Sequence, residues 1–291
     1  MVLDQMQKIF YLSEPRFLDL FNALLYDGEE VLKTGHSREA RNEQNNGSKR
    51  HFTDVTRVYE NGDVYSILIL ENQSTIDISM VIRALNYEAN VYDTYRKQEG
   101  RFNKNTRVPA AYCLVYYTGE CRWSAPTKLS ELVTLDDQCK KFFNDYQMNL
   151  IEINDDKEYK FNNRDNRLYR DLTKAIYRNE DLDQKEYKHV PVEVAELVFE
   201  TTQSEIELSL EKEEEVDMCT AVRNKYNQLR NEGRSEGRAE GVALGISNAT
   251  FRNILSTMKK LHYSLKEAMD FLDVDESEYS IYEEKYKALN H

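Results

Sequence analysis

At 291 residues, with 40% hydrophobic and 31% charged side chains, the chain is long enough for one sizeable core plus a charged helical appendage. A formal net charge of −13 excludes a protein that coats nucleic acid through bulk positive charge, but not an enzyme with a local basic surface. Asp4, Gln5, Gln7 and Lys8 interrupt the first apolar positions, so no cleavable leader is expected. The longest apolar run, Ala110 to Tyr117, is too short to cross a bilayer, and a soluble cytoplasmic protein is expected. Cys113, Cys121, Cys139 and Cys219 show no CxxC spacing, and the histidines are scattered, so neither disulfides nor a zinc cage are indicated.

In chain order, the first expected helix is Pro15 to Tyr26. Its proline sits in the first turn, and Phe17, Leu20, Phe21, Leu24 and Leu25 form one face before Asp27-Gly28 stops it. Thr34 to Ser48 is polar and reads as a loop or a short polar helix. A β-hairpin follows, Phe52 to Glu60 and Asp63 to Gln73, around the turn dipeptide Asn61-Gly62. Met80 to Lys97 returns to helical spacing, Ala110 to Tyr117 is a compact strand, and Asp145 to Ile153 adds a short segment. This order gives a mixed α/β domain on a small sheet. From about Val192 the reading is almost wholly helical, with a long charged helix over Glu205 to Arg230.

The hairpin is where chemistry concentrates. A two-residue turn at Asn61-Gly62 sets Glu60 opposite Asp63 and Asp54 opposite Ile69, with Glu71 one diagonal step away. Alternation with period two then sends Asp54, Glu71 and Gln73 to one face, and diagonal neighbours lie only ~7–8 Å apart. Two carboxylates at that spacing can close around a hard divalent cation, which polarises a phosphoryl oxygen and acidifies a bound water. The blander reading makes both acids solvated residues of a strand face. The apolar run Tyr65 to Leu70 leading into Glu71 weighs against it, because it reads as a buried central strand.

Asp54, then Glu71-Asn72-Gln73-Ser74, then Met80-Val81-Ile82-Arg83 with Tyr87, resembles the core of the Rpn family of recombination-promoting nucleases. That family belongs to the PD-(D/E)XK superfamily and is also labelled transposase-like. The block Phe21 to Gly28 is similar to the family's opening helix, and Val115-Tyr116-Tyr117 with Trp123 to its later strand. Val216 to Cys219 and the glycine-spaced tail are similar to its carboxy-terminal part. The resemblance implies a restriction-endonuclease-like core, a small mixed sheet flanked by helices, followed by a helical carboxy-terminal region. It also implies Mg²⁺-dependent (or Mn²⁺-dependent) hydrolysis of DNA phosphodiesters, with Asp54 and Glu71 as metal ligands. Gln73 stands where the superfamily usually has lysine; it can position a water by hydrogen bonding but brings no charge. Asp19 and Asn22 are candidate first-helix partners. Arg83 and Tyr87, four apart on one helix face, are candidates for holding a phosphate or orienting Glu71. Arg96, Lys97, Arg101, Lys104 and Arg107 make a local basic stretch.

Gly233, Gly237, Gly241 and Gly245 recur every four residues. In a helix each costs ~1 kcal/mol against alanine, so close approach of another backbone, as in a homodimer, is expected to compensate; a flexible linker is the other reading. Ser264 with Glu267 forms a capping box, and the acids from Asp270 to Glu278 favour an interaction module over a DNA-groove reader. The expected layout is a nuclease domain over 1–175, a helical connector over 176–230, the glycine-spaced segment 231–246 and a helical interaction region over 247–291. Two functions remain, a DNA endonuclease linked to recombination or mobile elements, and an inactive relative that binds DNA or protein.

Overall fold

The computed structural model describes residues 3–40, 44–46, 49–51, 55–62, 64–204 and 214–289. The chain divides into two compact units, Met1–Val222 and Arg223–His291. The first opens with helices α1 (Leu3–Leu12) and α2 (Glu14–Leu25). Strands β1 (Ser37–Glu39), β2 (Gln44–Asn46), β3 (Lys49–His51), β4 (Val55–Asn61) and β5 (Val64–Gln73) follow. Helix α3 (Met80–Glu99), β6 (Ala110–Tyr117), β7 (Asn149–Glu152) and α4 (Arg164–Tyr177) come next. The unit closes with β8 (Val190–Pro191), α5 (Val192–Thr201) and β9 (Glu215–Val216). Helix α6 (Met218–Leu261) runs from this unit into the second, which adds α7 (Leu265–Phe271) and α8 (Tyr279–Leu289).

The main sheet has the order β1-β4-β5-β6-β7, antiparallel across β1, β4 and β5 and parallel across β5, β6 and β7. A parallel pair needs a long crossover, and α3 supplies it between β5 and β6. The expected mixed sheet with flanking helices and a helical carboxy-terminal region is therefore what the chain forms. Both faces of the central strands are covered, which is why β5 reads as a continuous apolar run instead of an alternating one. On one face Ile67, Ile69, Ala111, Cys113 and Val115 pack with Met80, Val81, Ala84, Tyr87 and Val91 of α3. On the other, the Tyr116 ring meets Tyr11 of α1 and Tyr169 of α4 edge-on, at 6.0 and 6.3 Å between centroids.

Three local expectations change. The hairpin pairs Asn61 with Val64 and Val55 with Leu70, so Asn61 belongs to β4 and the pairing is not the one that an Asn61-Gly62 turn gives. Gly62, at φ +57°, occupies the left-handed conformation the loop demands, and a glycine reaches it most cheaply. Partners shift by two positions, an even number, so no side chain changes face. Within the polar segment 34–48, Ser37–Glu39 is an edge strand against β4. Glu14 fixes it by accepting hydrogen bonds from the amides of Gly35 and Ser37 and from the Ser37 hydroxyl. Sheet pairing outweighs local propensity there. Finally, no single helix spans Glu205 to Arg230. Residues 205–213 lie outside the described set, β9 pairs with β8, and α6 starts only after Asp217, whose carboxylate accepts from the Thr220 amide and hydroxyl.

The end of α2 is tied down by two devices. The Asn22 side chain bridges the backbone of Leu32, donating to its carbonyl and accepting from its amide, both at 2.9 Å and buried. Gly28 adopts φ +85°, and a Cβ there would lie 2.5 Å from the Lys160 Cβ and 2.6 Å from the Lys160 carbonyl oxygen. Asn22→Ala is expected to destabilise the protein by about 2–3 kcal/mol, because both Leu32 groups lose their partner inside the protein. Gly28→Ala combines a strained φ with a backbone clash and should cost roughly 2 kcal/mol or more. Urea denaturation of the two variants measures both values.

Candidate active site

β5 carries Glu71 to the carboxyl end of the parallel strands, where it pairs with Val115 and is only 5% exposed. Two residues on, Gln73 is half-buried in the row Gln73, Tyr117, Glu152 across β5, β6 and β7. Gln73, like Glu71, lies on the face covered by α3, since side chains of one strand alternate with period two.

A carboxylate buried at such a point needs compensation. Arg83, in the first turn of α3, supplies it through a short hydrogen bond from Nη2 to Glu71 Oε1. The same guanidinium donates from Nη1 to Asp77 Oδ2 at 2.9 Å and from Nη2 to the Tyr87 hydroxyl at 3.3 Å. Burial works against the Arg83 charge, yet Asp77 and Glu71 hold the group more firmly protonated than usual. Burial and the Glu71 charge push the Tyr87 hydroxyl up to about 12, so it stays a neutral hydrogen-bonding group at neutral pH. Asp77 belongs to the turn before α3. Burial opposes its ionisation, but hydrogen bonds from Ser79 and Arg83 prevail and keep its carboxyl below the usual range.

Of the residues singled out in the sequence, the structure thus gathers Glu71, Arg83 and Tyr87. Asp54 lies outside the described residues. Asp19 and Asn22 are buried in α2 but serve other contacts. Asp19 accepts from the amides of Asn162 and Asn163 and from the Asn166 side chain, stitching α2 to the start of α4. Burial raises its pKa despite these bonds. Asn22 holds Leu32, as described above. The basic stretch begins at the far end of α3, ~20 Å along the axis from Arg83, and Arg96 and Lys97 there pair with Asp93.

Two residues that the sequence reading passed over also belong to this strand end. Asp77 was signalled by Asp77-Ile78-Ser79 ahead of a helix, a capping turn pattern. Glu152 ends β7 beside Tyr117 and accepts from the Trp123 amide at 2.7 Å, with Arg122 at 3.5 Å. The Trp123 ring rests on Tyr117, 5.0 Å between centroids.

Among the described residues no three Asp, Glu, His or Cys side chains form a ready cluster for a metal ion. The donor chemistry nevertheless fits Mg²⁺, which takes hard oxygen ligands and commonly only one or two protein carboxylates, with waters completing the shell. Glu71 offers a carboxylate of that kind, and its ion pair with Arg83 puts positive charge beside it. Cys113 and Cys219 are buried and Cys121 and Cys139 exposed, all as free thiols. Among the described residues no helix is long and apolar enough to cross a membrane.

Residues 46–205, more than half of the chain, match the family described as "Putative transposase, YhgA-like". No curated protein and no solved structure matches the chain. Four of the five strands of the main sheet, β4 to β7, and the Glu71–Arg83 cluster fall within the matched span, and on that match this chain belongs to the YhgA-like putative transposase family.

Proposed function

We propose that the protein is a Mg²⁺-dependent DNA endonuclease of the restriction-endonuclease-like fold, acting in the cytoplasm on DNA of recombination or mobile elements. The observation that carries this reading is the buried Glu71 carboxylate at the end of a central strand, held by Arg83, which also donates to the Tyr87 hydroxyl. Asp54, which precedes the first residue of β4, and Glu71 would hold the ion, and Mn²⁺ would serve in place of Mg²⁺. When bound, such an ion supplies polarisation of a phosphoryl oxygen and a more acidic water. The chain's own groups supply the rest. Gln73 orients the attacking water by hydrogen bonding but brings no charge to it. Arg83 presents a guanidinium able to take a phosphate oxygen, and Tyr87 keeps that guanidinium in place.

Plasmid nicking with Mg²⁺, Mn²⁺ and EDTA tests the reading. Cutting should require the ion and should fall by at least about 100-fold in Asp54→Ala and in Glu71→Gln, because each removes a charge that the transition state needs. A folded wild-type protein that stays silent with every metal sinks the enzyme and leaves a DNA- or protein-binding module.

The carboxy-terminal helix fits a homodimer as the working form. Along α6, Arg230, Arg234 and Arg238 lie about 90° to one side of the exposed glycine stripe, and Glu232, Glu236 and Glu240 about 90° to the other. Within one helix this spacing sets like charges four apart, which is unfavourable. Two parallel copies related by a twofold axis along the helices would bring each arginine row against the partner's glutamate row. Antiparallel copies would oppose like rows. A chain with all six charges inverted should therefore self-associate as the wild type does, yet fail to mix with it. Light scattering and pull-down between differently tagged chains read this out; free mixing would exclude the parallel pair, and a monomeric wild type would exclude the dimer.

A further inference from the structure

One member of the Arg83 cluster has no part in the chemistry proposed above. Asp77 lies on the turn between β5 and α3, with Oδ1 anchored by the Ser79 amide at 2.8 Å and hydroxyl at 2.7 Å. Its other oxygen, Oδ2, receives Arg83 Nη1 at 2.9 Å. The remaining terminal nitrogen of Arg83 serves Glu71 and Tyr87. One guanidinium therefore stands between two carboxylates, of which Glu71 is nearly buried and Asp77 partly open, with side-chain exposures of 6% and 27%.

This arrangement poses a conflict for any cation that approaches Glu71. Arg83 already holds positive charge there, and a divalent cation brought to the same carboxylate is repelled by it at short range. Arginine carries its donors in a rigid planar fork, so a small rotation of the side chain can exchange a bond to each of two acids for a two-pronged bond to one. The acid that stays must be fixed in place and must not itself be needed by the cation. Asp77 meets both conditions, being tied to Ser79 and standing on the far side of the guanidinium.

Resting on the reading of Glu71 as a cation ligand, we propose that Asp77 is a positioning residue that draws Arg83 off Glu71 when a divalent cation binds. Asp77 acts through Arg83 and touches neither cation nor substrate. In its absence the guanidinium has no second anionic seat, remains on Glu71 and competes with the ion. The same exchange frees Arg83 to meet a phosphate only after the cation has arrived.

The test is calorimetric titration of Mn²⁺ into the full chain without DNA, for wild type, Asp77→Asn, Arg83→Gln and the double variant. Asparagine keeps an oxygen for Ser79, so the turn is retained while the charge is lost, and thermal melts check folding of each protein. Asp77→Asn should weaken Mn²⁺ binding by about 5–10-fold in the wild-type background and by less than about 2-fold when Arg83 is glutamine. Should Arg83→Gln fail to fold, Arg83→Met keeps the stem without the charge and completes the same cycle. An equal loss in both backgrounds would mean that Asp77 attracts the ion by its own charge, and the exchange is wrong. No loss in either background overturns it too, while leaving Glu71 as a ligand intact. Absence of Mn²⁺ binding by the folded wild type removes the nuclease reading itself, and the exchange falls with it.

Discussion

A carboxylate set at the end of a strand covered on both faces is costly unless positive charge or hydrogen bonds reach it, and much of this domain is arranged around that constraint. Glu71 arrives at the strand end because β5 runs apolar and buried from Ile67 to Leu70. Arg83 reaches it because the crossover from β5 to the parallel β6 is a helix that starts a few residues later on the same face. Met80, Val81, Ala84 and Tyr87 bury that helix against Ile69, Cys113 and Val115, so the position of the guanidinium is set by core packing and not by a loop. The fold and the cluster are in this sense one arrangement.

The opposite face of the sheet shows the same economy with a different chemistry. Gln7 of α1 is fully buried and donates to the Thr118 hydroxyl at 2.9 Å and to the Tyr169 hydroxyl at 3.0 Å. The Tyr169 hydroxyl also bonds with that of Thr201, at the end of α5. Helices distant in sequence are thereby registered on one sheet by hydroxyl and amide groups, a directional addition to an apolar core.

Much of this was legible in the sequence where periodicity or turn chemistry was strong. Ala110 to Tyr117 is an unbroken apolar run and forms β6 over those residues. Ser13, Glu14 and Pro15 mark the start of α2, and Ser264 with Glu267 caps α7 as its pattern indicates. What escaped notice was governed by distant contacts. Ser37–Glu39 is polar and becomes a strand only because β4 and Glu14 hold it. Helix α4 is rich in charge, and its buried Leu168, Tyr169 and Leu172 gain meaning only once α2 and α5 pack on it and Tyr169 meets Phe10 and Tyr116, although Asn163 does cap it in the ordinary way. In the candidate site, Glu71 could be singled out from its place at the end of an apolar strand, whereas spacing put Arg83 and Tyr87 on one helix face and the family resemblance made them candidates. Asp77 and Glu152 could not be given a place, since their position depends on how the turn folds back and on a parallel pairing across β6.

The indole at this strand end has a practical consequence. Trp123 is the chain's single tryptophan among 20 tyrosines, and it lies against Tyr117, the immediate ladder neighbour of Gln73. Its emission can be excited selectively at the red edge of the absorption band, where tyrosine is dark. The molecule thus carries its own fluorophore a single strand away from Gln73, and changes in colour, quenching or polarisation of that light would follow events at the strand end without any attached dye.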